Sequence, residues 1–144
     1  MLTSTEANLN SNIQDAINAA LIDGWTEIIV YPGVYLENLL VQTNQHLLIS
    51  STNEFSEQIR QSTIIDGGAI GSVVTAFGES GWQNGTTCTV VGVTITNGAG
   101  LYGGGILGND KNSSPNNYIN VRRCNLLKII IVLNLIYCYC QTME

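Results

Sequence analysis

Charge is scarce in this chain, at 11% of its 144 residues, and positive charge scarcer still: five Lys and Arg against eleven Asp and Glu leave a net charge of −6. Without a basic stripe the chain cannot neutralise a run of phosphates or dock on an anionic membrane, so nucleic acid is not an expected partner. Metal-binding groups are equally thin. The cysteines Cys88, Cys124, Cys138 and Cys140 form no C-x-x-C pair, and His46 stands alone. Zinc ligation and thioredoxin-like redox chemistry are therefore not expected, and no metal or cofactor is assigned. Cys88 and Cys124 lie in apolar stretches, where a free cysteine behaves as a small buried hydrophobe; a disulfide between coils stays open as the alternative. Residues 1–10 lack the basic start and apolar run of a secretory signal. The most apolar stretch, residues 126–140, is interrupted by Lys128 and Asn134 and is too short for a membrane span.

What the chain has is 44% hydrophobic residues, enough to exclude disorder, set among Asn, Thr, Ser and Gly. Ser11-Asn-Ile-Gln14 reads as a capping box. Ile13, Ile17, Ala20 and Leu21 then fall on one face at helical spacing, and Asp23-Gly24 ends the run. From Glu27 the period changes to short β-branched segments that stop on Gly, Asn or Pro: residues 27–31, 34–36, 38–41, 46–50, 63–66 and 72–77. Residues 87–96 give the longest strand signal, broken only by Gly92, and Asn97-Gly98 makes the turn after it. Residues 103–107 and 118–126 supply further strands, while 53–61, 78–86 and 109–117 read as polar excursions. Segments this short, recurring at the twenty-to-thirty-residue spacing of solenoids, predict three to four stacked coils. Hairpins are the structural alternative, because Asn-Gly can form a type I′ turn, but the continuous apolar runs argue against them.

The fold class expected is thus all-β, a right-handed parallel β-helix with an N-terminal capping α-helix. Residues 1–10 form a polar lead-in, 11–125 the β-helix with its helical cap at 11–22, and 126–144 an atypical apolar tail. That tail lacks the turn punctuation of the rest, which points to a frameshifted or truncated reading and to an uncapped lower end open to self-association.

Ile13-Gln-Asp-Ala-Ile-Asn-Ala-Ala20, Tyr31-Pro-Gly-Val-Tyr35 and Glu37-Asn38 resemble the opening of pectin-lyase-like, right-handed parallel β-helix proteins, in which such a helix caps the first coil. Thr63-Ile-Ile-Asp-Gly-Gly68, Gly92-Val-Thr-Ile-Thr-Asn-Gly98, Gly103-Gly-Gly-Ile106 and Ser113-Ser-Pro115 resemble later coils of secreted, multi-repeat members. The resemblance implies an extracellular or cell-surface location. It leaves activity open, since that superfamily holds polysaccharide lyases, glycoside hydrolases, epimerases and adhesins.

A lyase of this kind needs acids to hold calcium and a base at the α-carbon proton, and a hydrolase needs a cluster of aspartates. Asp66 is the one acid at the end of a strong strand, and it serves equally as the hydrogen-bond acceptor of the Gly67-Gly68 turn. Arg122 and Arg123, adjacent on a strand, would point to opposite faces. His46 has no carboxylate or nucleophile beside it and is read as structural. Sugar binding asks for less: an aromatic ring to stack on a pyranose and polar groups for its hydroxyls. Trp82, Tyr102 and Asp66 are the candidates, with no catalytic residue assigned. The expected role is a non-catalytic β-helix domain that binds polysaccharide or a surface protein. The alternative is a fragment of a polysaccharide lyase or glycoside hydrolase lacking its catalytic coils.

Overall fold

A computed structural model of the chain describes residues 12–42, 45–78, 86–100, 104–110, 118–127 and 130–131. It opens with helix α1 (Ile13–Asp23), followed by strands β1 (Glu27–Val30), β2 (Gly33–Leu36), β3 (Leu39–Gln42) and β4 (His46–Ser51). Helix α2 (Glu57–Ser62) precedes β5 (Thr63–Asp66), β6 (Val74–Gly78), β7 (Thr87–Val91), β8 (Thr94–Thr96) and β9 (Ala99–Gly100). The last strands are β10 (Ile106–Asp110), β11 (Tyr118–Arg122), β12 (Asn125–Leu127) and β13 (Ile130–Ile131).

Strands that follow one another in the chain belong to different sheets. The sheets run β1-β4-β7-β11, β2-β5-β8-β12, β3-β6-β10 and β9-β13. Every strand pair among the described residues is parallel. The Asn97-Gly98 turn accordingly makes no hairpin: Asn97 alone takes a left-handed backbone, at φ 53°, and leads into β9. The protein is therefore an all-β fold of parallel sheets with few helices. Along the second sheet register partners recur at steps of 30 residues, from Ile64 to Thr94, and 31, from Thr94 to Asn125, whereas in the first sheet the partner of Glu27 is Leu48 and the partner of His46 is Thr87, steps of 21 and 41.

Alternation along each short strand sends every second side chain inward, and parallel register then stacks like on like. Ile28 lies beside Ile49 and Ile49 beside Val90. In the second sheet Tyr35, Ile65 and Ile95 form another row, and in the third Leu39 stands beside Val74. Ile28, Ile49, Val90, Ile65, Ile95, Leu39 and Val74 are all buried in one core cluster. Each such side chain contributes about 1.5–3 kcal/mol on removal from water, so the rows are what hold the sheets together.

Helix α1 closes one end of this core with Ile13, Ile17 and Ala20. The capping box expected from Ser11 to Gln14 is displaced by one residue: Asn12 is the N-cap, and its Oδ1 accepts from the Asp15 N–H at 2.8 Å. Gln14 does not reach back to the cap. Its amide Nε2 donates to the Leu40 carbonyl (3.1 Å) and its Oε1 accepts from the Leu40 N–H (2.8 Å), satisfying both backbone groups at the outer edge of β3. Glu37 completes the seal by accepting from the Ile13 N–H with Oε1 (2.7 Å) and from the Gln14 N–H with Oε2 (2.9 Å). A carboxylate on the free donors of a helix N-terminus is a charge-assisted arrangement that also suits the helix dipole. Gly24, at φ 72°, terminates the helix by donating to the Ala20 carbonyl.

Three readings of the sequence are corrected here. The excursion at 53–61 contains α2, capped by Ser56, whose Oγ accepts from the Ile59 N–H. Its polar sequence offers no apolar period, and it is held at its end by Thr63 Oγ1 donating to the Ile59 carbonyl and from a distant strand by Thr94 Oγ1 donating to the Arg60 carbonyl, both at 2.8 Å. The single long strand expected over 87–96 is two strands, β7 and β8, in different sheets. Gly92, at φ 71°, is the corner between them, and a Cβ there would stand 2.6 Å from Ser51 Oγ and 2.7 Å from the Glu54 Cα. In the next strands of the same two sheets, the strand expected over 118–126 divides in the same way at Arg123, which holds φ 50°. Parallel pairing also continues past residue 126, where β12 joins β8 and β13 joins β9.

Candidate functional site

The polar groups gather where β2, β5 and β8 end. Asp66, at the close of β5, spends both oxygens locally. Oδ1 accepts from the Gly68 N–H (2.8 Å), the two-residue reach of an Asx turn, and Oδ2 accepts from Asn97 Nδ2 (2.8 Å), just past the neighbouring strand β8. Its carbonyl accepts from the Glu37 N–H at 2.9 Å. Asn38 Nδ2 donates to the carbonyls of Gly67 (3.2 Å) and Ser72 (3.0 Å), and the Ala69 N–H donates to the Asn97 carbonyl (2.7 Å). Asn38, Asp66 and Asn97 therefore brace one corner across three levels of the stack. The arrangement fixes backbone direction; it does not place a free acid beside a free base.

Among the other residues that sequence reasoning considered, His46 hydrogen-bonds through Nδ1 to Thr87 Oγ1 at 2.7 Å, its direct register neighbour. Arg122 and Arg123 are not paired on opposite faces of one strand, because the strand stops at Arg122 and Arg123 sits on the corner. There its guanidinium lies 4.4 Å from the centroid of the Phe55 ring and 3.6 Å from Glu54 Oε2. A cation over an aromatic face with a carboxylate beside it offsets the strain of a left-handed non-glycine residue. Sequence reasoning missed this clamp, since Phe55 and Arg123 are far apart in the chain and belong to no motif.

Trp82 and Tyr102, the two aromatic candidates for sugar stacking, lie outside the described residues. So do Cys138 and Cys140. Cys88 and Cys124 are free thiols. Burial pushes the Cys88 thiol up to about 12, and burial also raises that of Cys124 against the pull of neighbouring backbone hydrogen bonds and the Arg60 charge. Neither has the electropositive, exposed setting of a nucleophilic cysteine. Cys88 is expected to resist iodoacetamide at pH 8 in the native protein and to react on unfolding, as mass spectrometry of the alkylated peptide would report. The linkage has a definite sign: the unfolded thiol loses its proton near its ordinary value of 9.0, before the native one does, so Cys88 favours unfolding as pH rises from there towards about 12.

Among the described residues no group of three or more His, Cys, Asp or Glu side chains is placed to hold a metal ion, and no helix is long and apolar enough to cross a membrane. Comparison with known proteins gives no match to a family model, a curated protein or a solved structure.

Proposed function

We propose that the chain is a right-handed parallel β-helix domain of a secreted or cell-surface repeat protein, and that its role is non-catalytic: it presents a rigid outer face to polysaccharide or to another protein. The solenoid reading is supported by successive strands that enter different sheets, a register step of 30 or 31 residues along the second sheet, and corners that recur at Gly92 and Arg123. One observation carries the non-catalytic reading. The carboxylates of Asp66 and Glu37 are committed to backbone and amide donors through all four of their oxygens. A general acid or base needs a partner within hydrogen-bond reach of a substrate proton, and a carboxylate engaged in holding a corner or a helix end does not offer one.

The test is a glycan array run beside an activity assay on the same purified protein. The expected result is retention on a subset of polysaccharides with no turnover, weakened by Trp82→Ala or Tyr102→Ala by up to about tenfold, the scale of one aromatic contact. Release of unsaturated uronides or of reducing ends from pectic substrates would overturn the non-catalytic assignment in favour of a carbohydrate-active enzyme.

A further inference from the structure

Helix α1 packs on β1 and β3, and Gln14 saturates the edge of β3 at Leu40, yet no described element covers the equivalent edge of the second sheet. Among the described residues β2 ends the order β12-β8-β5-β2 with no strand beyond it. Its outward side chains are apolar: Val34 is 70% exposed and Leu36 73%, and neighbouring Ile70 is 85% exposed. Leu36 and Ile70 both border Gly68, their Cδ1 atoms lying 3.4 and 3.8 Å from the point a Cβ on Gly68 would occupy. Proteins ordinarily blunt such an edge with lysine or an inward charge. Gly33-Val-Tyr-Leu36 carries no charge at all.

We propose that this edge is a contact between two copies of the chain, in which β2 pairs antiparallel with β2 of the second copy about a two-fold axis at Tyr35. The sequence is self-complementary in that register. Val34 of one copy falls opposite Leu36 of the other, an apolar pair on the exposed face, and Gly33 falls opposite Glu37, so no like charges meet despite the net charge of −6. The Glu37 carboxylate is already turned towards the N-terminus of α1. A partner of opposite charge would find nothing on this edge to recognise, whereas a second copy supplies the same apolar row and the missing backbone partners. Because the contact is isologous it closes at two chains instead of growing into a fibre.

Sedimentation equilibrium over a concentration series of the full chain tests this. A monomer–dimer equilibrium is expected, weakened at least about tenfold by Val34→Lys and by Ile70→Lys. Leu127→Lys, on the last strand of the same sheet, should leave it unchanged. Both Lys variants alter exposed positions, and far-UV circular dichroism would show that they fold. Mixing Val34→Cys with Leu36→Cys chains under mild oxidation should yield a 34–36 cross-link that neither variant gives alone. A chain that stays monomeric up to about 1 mM, or a dimer lost with Leu127→Lys but retained with Val34→Lys, overturns the proposal.

Discussion

Gly98→Ala is expected to cost this protein about 3 kcal/mol or more, the upper end of overpacking penalties. The reason is steric and not conformational, because the Gly98 backbone is not left-handed. A methyl group there would overlap the Gly104 carbonyl oxygen and stand 3.0 Å from Val73 Cγ2. That carbonyl cannot simply step aside. It accepts from the Val73 N–H at 3.2 Å, and the next carbonyl, Gly105, accepts from the N–H groups of Val73 and Val74 at 3.1 and 3.0 Å. Moving Gly104 therefore pulls on the hydrogen bonds that lead β10 into register with β6. Gly24→Ala is the control: its φ is 72°, but nothing lies within 4 Å of the new Cβ, so only the left-handed backbone is charged, about 1 kcal/mol. Urea unfolding of both variants would measure the difference. Equal midpoints for the two would refute the steric account.

Ile49→Ala should lower stability by about 2–5 kcal/mol, the range for emptying a well-packed site. Ile49 is fully buried in the middle of a row, with Ile28 on one side and Val90 on the other. Its neighbours are fixed by backbone hydrogen bonds at their own levels and cannot slide along the stack to fill the gap. Ile22→Ala, on the exposed side of α1, should change stability by no more than about 0.5 kcal/mol. Thermal denaturation of the pair reads the contrast directly, and a small loss at Ile49 would mean that the rows repack more freely than their register implies.

The parts of this structure that were legible in the sequence are those governed by local rules. Helix α1 showed itself through the spacing of Ile13, Ile17 and Ala20, and the short strands through their β-branched runs and glycine stops. Asp66 was readable as a turn acceptor because an Asx turn spans only two residues. Its second bond, to Asn97, joins residues 31 apart and left no local trace. The same holds for α2, whose polar segment is tied by Thr94 from 34 residues away, and for Arg123, whose positive φ depends on Phe55 and Glu54. Gly92 was visible as a break but not as a corner, since two apolar runs separated by one glycine look alike whether the chain continues straight or bends. Trp82 and Tyr102 were chosen for their chemistry, which says nothing of where their rings lie.

The register step of the second sheet has a consequence for how the chain can change length. A single-residue insertion inside β5 or β8 would exchange the buried and exposed faces of the rest of that strand, because side chains alternate at every position. Gain or loss of a segment matching the step from Ile64 to Thr94 would instead leave each surviving side chain above an equivalent neighbour. Length along this sheet is therefore most easily changed in whole units of that step, while the excursion between β4 and β5 is tied down by Arg123 on Phe55 and Glu54 and by Thr94 on the Arg60 carbonyl, and leaves little room for smaller changes.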